Sequence, residues 1–240
     1  MAQGVTGFTA TGDSEEIARA LFNALAFLPA RTNPPLVRCT FERKRVTFLA
    51  TDCYTVGQDW AEMESGPIRP VEVWINQDAA KAIESTARKD VLPKSRAPQD
   101  SDGKGRGVFN YHPGDALHFA PQLEGVPASG RDYTGNFEPV ATPAGVLTPD
   151  ALWDACDGLL ERLEDRDPFL PNVAMFDPAL LGRFGKVKTP GKQLTHMDMW
   201  FGDASNVVLV KIGARFRGAI MAIDRDKASK HENMEPEGLW

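Results

Sequence analysis

The side chains best suited to chemistry are few. His112, Asp115 and His118 fall within seven residues of one another around a His112-Pro113-Gly114-Asp115 turn, and two imidazoles with a carboxylate are the stuff of metal sites and acid–base pairs. One such spacing across a turn is equally that of ordinary solvated turn residues. No G-x-S-x-G, P-loop, H-E-x-x-H or G-x-G-x-x-G occurs, which leaves an unrecognised hydrolase or nuclease as an alternative without a motif behind it. Cys39, Cys53 and Cys156 are far apart and form no C-x-x-C pair, which suggests neither a zinc ribbon nor a disulfide framework. The residues read as those of a protein without an active site, cofactor or metal.

A second kind of chemistry is ionic. Residues 183–192 carry Arg183, Lys186, Lys188 and Lys192 with no acid among them, and Arg19, Lys81, Arg88 and Lys89 lie on segments of helical periodicity. Such cations meet phosphates without reading base sequence, although each could equally be a solvated surface residue. A net charge of −6 and a pI near 5.3 exclude a protein that grips nucleic acid with its whole surface. A local basic face remains compatible with an acidic exterior, which repels DNA from the wrong side.

These residues need elements to hold them. Asp13 with Glu16 three positions on has capping-box spacing, and Ile17, Leu21, Leu25 and Leu28 follow on one face until Pro29 and Pro34-Pro35 end the helix. Strands are expected at 36–41 and 46–50 around a charged Glu42-Arg43-Lys44-Arg45 turn, and at 71–75. Asn76 caps a second helix through Ala79, Ala80, Ile83 and Ala87 to Lys89. A polar loop spans 93–107, then strands 108–111 and 116–120. After a Gly/Pro-rich passage over 125–145, Thr148 and Pro149 open a helix with Leu152, Ala155, Leu159 and Leu163 on one face. Asp150, Asp154, Asp157, Glu161, Glu164 and Asp165 outnumber Arg162 and Arg166 there, so this third helix does not match a basic lining. A strand at 172–176 leads into Asp177-Pro178 and a fourth helix over Leu180, Leu181 and Phe184. Strands at 197–201, 207–212 and 216–223 close the chain before a polar tail that ends in Leu239 and Trp240. The longest apolar stretches fall far short of the ~20 residues needed to cross a bilayer. Residues 1–13 do not read as a secretory signal, so a cytoplasmic location is expected.

The order helix, then strand-cap-helix, then hairpin occurs twice. Ala79 and Ile83 stand three and seven residues after Asn76, as Leu180 and Phe184 do after Asp177. The second copy is shorter, so its middle strands are missing or reduced.

The segment Phe48-Leu49-Ala50-Thr51-Asp52-Cys53-Tyr54-Thr55-Val56 resembles the "L-x-A-T-D-G-y-r-L" signature of the bacterial β sliding clamp. Phe176 to Leu181 is similar to the family's "F-N-p-x-Y-L" helix start, and Gly218 to Ile223 to its closing "y-v-i-M-P-m" run. Cys53, Thr55 and Ala222 replace the Gly, Arg and Pro usual in the family.

The resemblance implies an α+β chain of two clamp modules, 1–140 and a shortened 141–240, with helices lining a concave face and antiparallel sheets outside. It implies a DNA polymerase processivity factor that encircles duplex DNA. Bacterial subunits have three modules, so a two-module chain resembles a shortened, phage-type form that would close a six-module ring as a trimer. The helix cations named above would line the hole. By position, the family's pocket for a short apolar peptide of a polymerase or clamp loader falls on Thr51, Tyr54, Val56, Val140, Ile220, Met221 and Ile223, residues that core packing would explain equally. A clamp-like adaptor or decoy that never closes a ring is the alternative.

Overall fold

Capping residues set where the helices start. Asp13 ends β1 (Phe8–Asp13) and opens α1 (Ser14–Leu25), its Oδ1 accepting from the backbone N–H groups of Glu15 and Glu16 at 2.8 and 3.2 Å. Asn76 does the same between β5 (Val71–Asn76) and α2 (Gln77–Lys89), its Oδ1 accepting from the Ala79 N–H at 2.7 Å. Asp177 caps α4 (Pro178–Phe184) through the Ala179 N–H at 2.7 Å, with Pro178 in the first turn. These three starts agree with the sequence expectation. Thr148, the expected fourth cap, lies outside the described residues.

The computed structural model describes residues 7–28, 36–52, 54–89, 105–112, 117–122, 131–132, 140–142, 145–147, 149–165, 174–190, 196–201 and 207–223. Besides the elements named, the first half contains β2 (Leu36–Phe41), β3 (Arg45–Thr51), β4 (Thr55–Ser65), β6 (Arg106–Tyr111), β7 (His118–Gln122) and β8 (Arg131–Asp132). A small pair, β9 (Val140–Thr142) and β10 (Gly145–Leu147), precedes α3 (Pro149–Glu164). After α4 come β11 (Met197–Phe201), β12 (Val207–Ile212) and β13 (Phe216–Met221).

The strand that organises the molecule is β4. Its eleven residues run along β3 on one edge and, on the other, meet β13 near the start and β1 near the end. Antiparallel pairing therefore passes without interruption from β5 through β2, β3 and β4 to β13, β12 and β11, while β1 continues into β6, β7 and β8. Strands of both halves share one sheet. At the seam Gly57 pairs with Gly218, and a Cβ on Gly57 would run into the Phe27 ring, which crosses there to pack on Phe184 and Phe216 at 4.8 and 5.4 Å between centroids. Glycine is what allows that close approach.

Neither β1 nor β4 is among the expected strands. The sequence of β4, Thr55 to Ser65, buries Gln58 and Asp59 among its apolar residues, so hydrophobic alternation is hidden; β1 is short and rich in small residues. The expected strand at 172–176 is not formed over residues 174–176, and the polar loop ends earlier than expected, because Arg106 and Gly107 already pair with β1.

Alternation along the shared sheet gives it two different faces. Val37, Cys39, Phe41, Val46, Phe48, Val73 and Ile75 form a core with Ile17, Leu21, Ala80 and Ile83 of α1 and α2. On the same side, Phe27, Phe184 and Val187 pack with Val208, Val210 and Ile220. The opposite side carries Leu36, Leu49, Val56, Leu209 and Ala219 beneath Cys156, Leu160 and Leu163 of α3. The α+β class holds, but one concave face lined by all the helices does not: α3 lies across the sheet from α1, α2 and α4. The buried seam of α3 is also rotated from the expected one, with Ala155 exposed and Leu160 fully buried.

Candidate functional site

The expected cations divide into those consumed by the fold and those presented to solvent. Arg19 belongs to the first group. Its Nη1 donates to the buried Asp59 Oδ2 at 2.5 Å and its Nη2 to the Trp60 carbonyl at 2.9 Å, leaving its side chain only 8% exposed. Asn23 Nδ2 donates to the same Asp59 oxygen at 2.6 Å. Burial pushes the Asp59 carboxyl above its ordinary value, while Arg19, Asn23 and the Trp60 N–H oppose that rise. As a phosphate contact, Arg19 is a correction: releasing it would strand a buried carboxylate.

Arg183 is likewise spent. Its Nη1 reaches Asp52 Oδ2 at 2.5 Å and the Thr55 hydroxyl at 2.8 Å, tying α4 to the turn that follows β3. Asp52 Oδ1 in turn accepts from the N–H groups of Tyr54 and Thr55 at 3.1 and 2.8 Å. The aspartate of the Ala50-Thr51-Asp52 segment thus holds its own turn with one oxygen and the other half of the chain with the other.

Lys81, Arg88, Lys186 and Lys188 are exposed on the side of α1, α2 and α4. Phe22, on α1, gathers two of them: the Lys188 Nζ stands 4.1 Å and the Arg88 guanidinium carbon 5.4 Å from its ring centroid. Arg88 also pairs with Glu84 one turn back. Lys188 is positioned by Asn23, which exchanges two hydrogen bonds with its backbone, accepting at 2.8 Å and donating at 2.7 Å. Asn23 therefore connects the buried Asp59 to a surface lysine of the other half. Phe22 and Asn23 are absent from the sequence candidates; nothing in a partly buried Phe or a mid-helix Asn marks it out until the second half folds over it. Lys89 ends α2, and Lys192 lies outside the described residues.

The acids of α3 do not oppose this face. Asp157 binds Arg38 at 2.5 Å, and Glu164 binds Lys211 at 2.7 Å and Arg217 at 2.8 Å, all on the far side of the sheet. Burial acts to raise the Glu164 carboxyl, but Lys211 and Arg217 outweigh it and hold the group below its ordinary value. A polar groove of about 480 Å³ runs alongside, lined by these ion pairs and by Arg215 stacked on Trp60.

The seven partner candidates also separate. Thr51, Val56 and Ile220 are core: the Thr51 hydroxyl donates to the Thr55 carbonyl at 2.8 Å, and the other two pack on opposite faces of the sheet. As direct contacts these three are corrected. Tyr54, Met221 and Ile223 are 62%, 43% and 41% exposed, unusual for such large apolar side chains. The Met221 N–H donates to the Tyr54 carbonyl at 3.1 Å at one end of the seam, while the Ile223 N–H donates to the Met175 carbonyl at 2.8 Å. Val140 pairs with Leu147 in the β9–β10 ribbon.

His112 is exposed at the end of β6, His118 starts β7, and Asp115 lies outside the described residues. Among the described residues, no three His, Cys, Asp or Glu side chains converge to hold a metal ion, and no helix is long and apolar enough to cross a membrane.

No family model matches the chain, and no curated protein matches its sequence. Solved structures do match in fold. The DNA polymerase III β subunit of Borrelia burgdorferi superposes with a TM-score of 0.56 at 10% identity over 91% of this chain, which spans 65% of that subunit's length. The corresponding subunit of Pseudomonas aeruginosa gives 0.53 at 14% identity over 96% of this chain and 68% of its own. Proliferating cellular nuclear antigen from Entamoeba histolytica gives 0.55 at 8% identity, over 92% of this chain and 100% of that one. The chain has the DNA-clamp fold.

Proposed function

We propose that the chain is a sliding clamp whose copies close a ring around duplex DNA and tether a polymerase, with modules at 1–140 and 141–240. The observation that carries this reading is the cationic cluster around Phe22, where Arg88 of the first half and Lys188 of the second meet on the helix-bearing side of a sheet shared by both halves. Lys81 of α2 and Lys186 after α4 are also exposed. Exposed, hydrated cations of this kind attract phosphates regardless of base sequence. The match to the whole length of the Entamoeba protein supports a two-module unit, hence a trimer as the ring. Tyr54, Met221 and Ile223 would receive a short apolar segment of the polymerase or its loader.

Sedimentation comes first: a ring requires an assembly about three times the 26.3 kDa chain, and a stable monomer at micromolar concentration removes it in favour of a clamp-like adaptor. Primer extension on circular DNA with the cognate polymerase then tests tethering. Product length unchanged by the protein would end that assignment.

A further inference from the structure

The helix on the far side of the sheet covers an apolar floor built by both halves. Leu36, Leu49, Val56 and Trp74 come from the first half, Leu209 and Ala219 from the second. α3 meets this floor along a narrow seam of Cys156, Leu160 and Leu163, at spacings of four and three. Asp157 and Glu164, seven residues apart and so two turns along the same helix, fasten its middle to Arg38 and its C-terminal end to Lys211 with Arg217. Its other described faces, at Asp154, Ala155, Glu161, Arg162 and Asp165, are exposed.

The floor continues beyond α3. Val207 borders it and pairs with Met221, whose backbone joins that of Tyr54, so the covered strip and the exposed apolar end belong to one surface. We infer that this strip is a helix-docking groove which the chain's own α3 fills, and that a partner helix of the same chemistry enters by displacing it. That chemistry is an apolar seam at positions one, five and eight, flanked by carboxylates two turns apart. Charge argues for this occupant over a plain apolar one. Removal of α3 takes Asp157 from Arg38 and Glu164 from Lys211 and Arg217, and an entering helix with matched acids restores those pairs. The inference rests on the reading of Tyr54, Met221 and Ile223 as the partner surface, and adds that access to the strip beside them is gated.

The probe is a fluorescent peptide of residues 149–165, titrated against the full chain and against a full-length Asp157→Asn/Glu164→Gln variant. Loosening the resident helix raises the fraction of open groove, so the variant should bind the peptide about ten-fold more tightly than the unaltered chain. Equal binding, or no binding to either, overturns the inference. A second arm needs no variant. Excess peptide should speed amide exchange over 154–165 of the unaltered chain about ten-fold while α1 holds its rate, and unchanged exchange in α3 also overturns the inference. If both arms succeed yet Tyr54→Ala and Met221→Ala leave primer extension unaffected, the groove stands and only the tethering reading falls.

Discussion

The helices of the first half and those of the second begin from similar sequence signals and end in different arrangements. α1 and α2 lie against each other over one face of the sheet, where Ile17, Leu21, Ala80 and Ile83 share a single core. α3 and α4 are separated by the sheet itself, α4 packing with Phe27 and α3 with Leu49 and Val56. The polar anchors differ correspondingly. Under α1 the Arg19–Asp59 pair is buried; along α3 the pairs of Glu164 with Lys211 and Arg217 stay about a third exposed. A repeated pattern of caps and apolar offsets therefore specifies helices, while what each helix covers depends on which strands are present to receive it.

Breaking the buried anchor should cost most. Asp59→Ala leaves the Arg19 guanidinium without its carboxylate in the interior, and the expected loss is about 3–5 kcal/mol in urea unfolding. A loss below about 1 kcal/mol would mean that the pair behaves like a surface one. Leu160→Ala removes a fully buried side chain from the α3 seam, with an expected cost of about 2–3 kcal/mol. Because α3 rests on one narrow strip, that cost should show as faster amide exchange confined to α3; uniform acceleration through α1 would erase the contrast between the two regions.

Acid separates the regions by sign. The Glu164 carboxyl is held below its ordinary value, so its contribution is complete above the usual glutamate range and disappears as pH falls through its lowered folded value. Burial raises Asp59, so the folded state holds its proton more tightly, and its contribution is complete below the ordinary aspartate value and declines as pH rises through the raised one. Acidification should therefore speed amide exchange in α3 without speeding that of α1, and equal acceleration of both would refute this. The smallest effect on stability belongs to Lys186→Ala/Lys188→Ala, within about 0.5 kcal/mol for exposed positions. Its effect on function should be large by comparison, lowering the salt dependence of DNA retention by about two charges. An unchanged salt slope would remove both lysines from the interface.

Much of the site's raw material was legible residue by residue. The caps at Asp13, Asn76 and Asp177 act within three residues of themselves, so their roles follow from local spacing. The Thr51-Asp52 segment stands out in the sequence, and Asp52 holds its turn through neighbouring N–H groups. The ion pairs of Arg19 and Arg183 are not legible in the sequence, for a common reason. Their carboxylate partners are 40 and 131 positions away in sequence, and a cation's availability depends on what the fold places beside it.

By itself, the sequence determined the α+β composition, the starts of three helices, the apolar stripes of α1 and α2 and the stock of cations after α4. All of these rest on interactions within a few turns or on strict periodicity. Only the tertiary structure decided that β4 and β13 join the halves into one sheet, that Phe22 and Asn23 meet Lys188, and that the acidic α3 crosses to the other face. Each depends on pairing between segments far apart in the chain, and strand alternation then fixes which side of the sheet every partner must occupy.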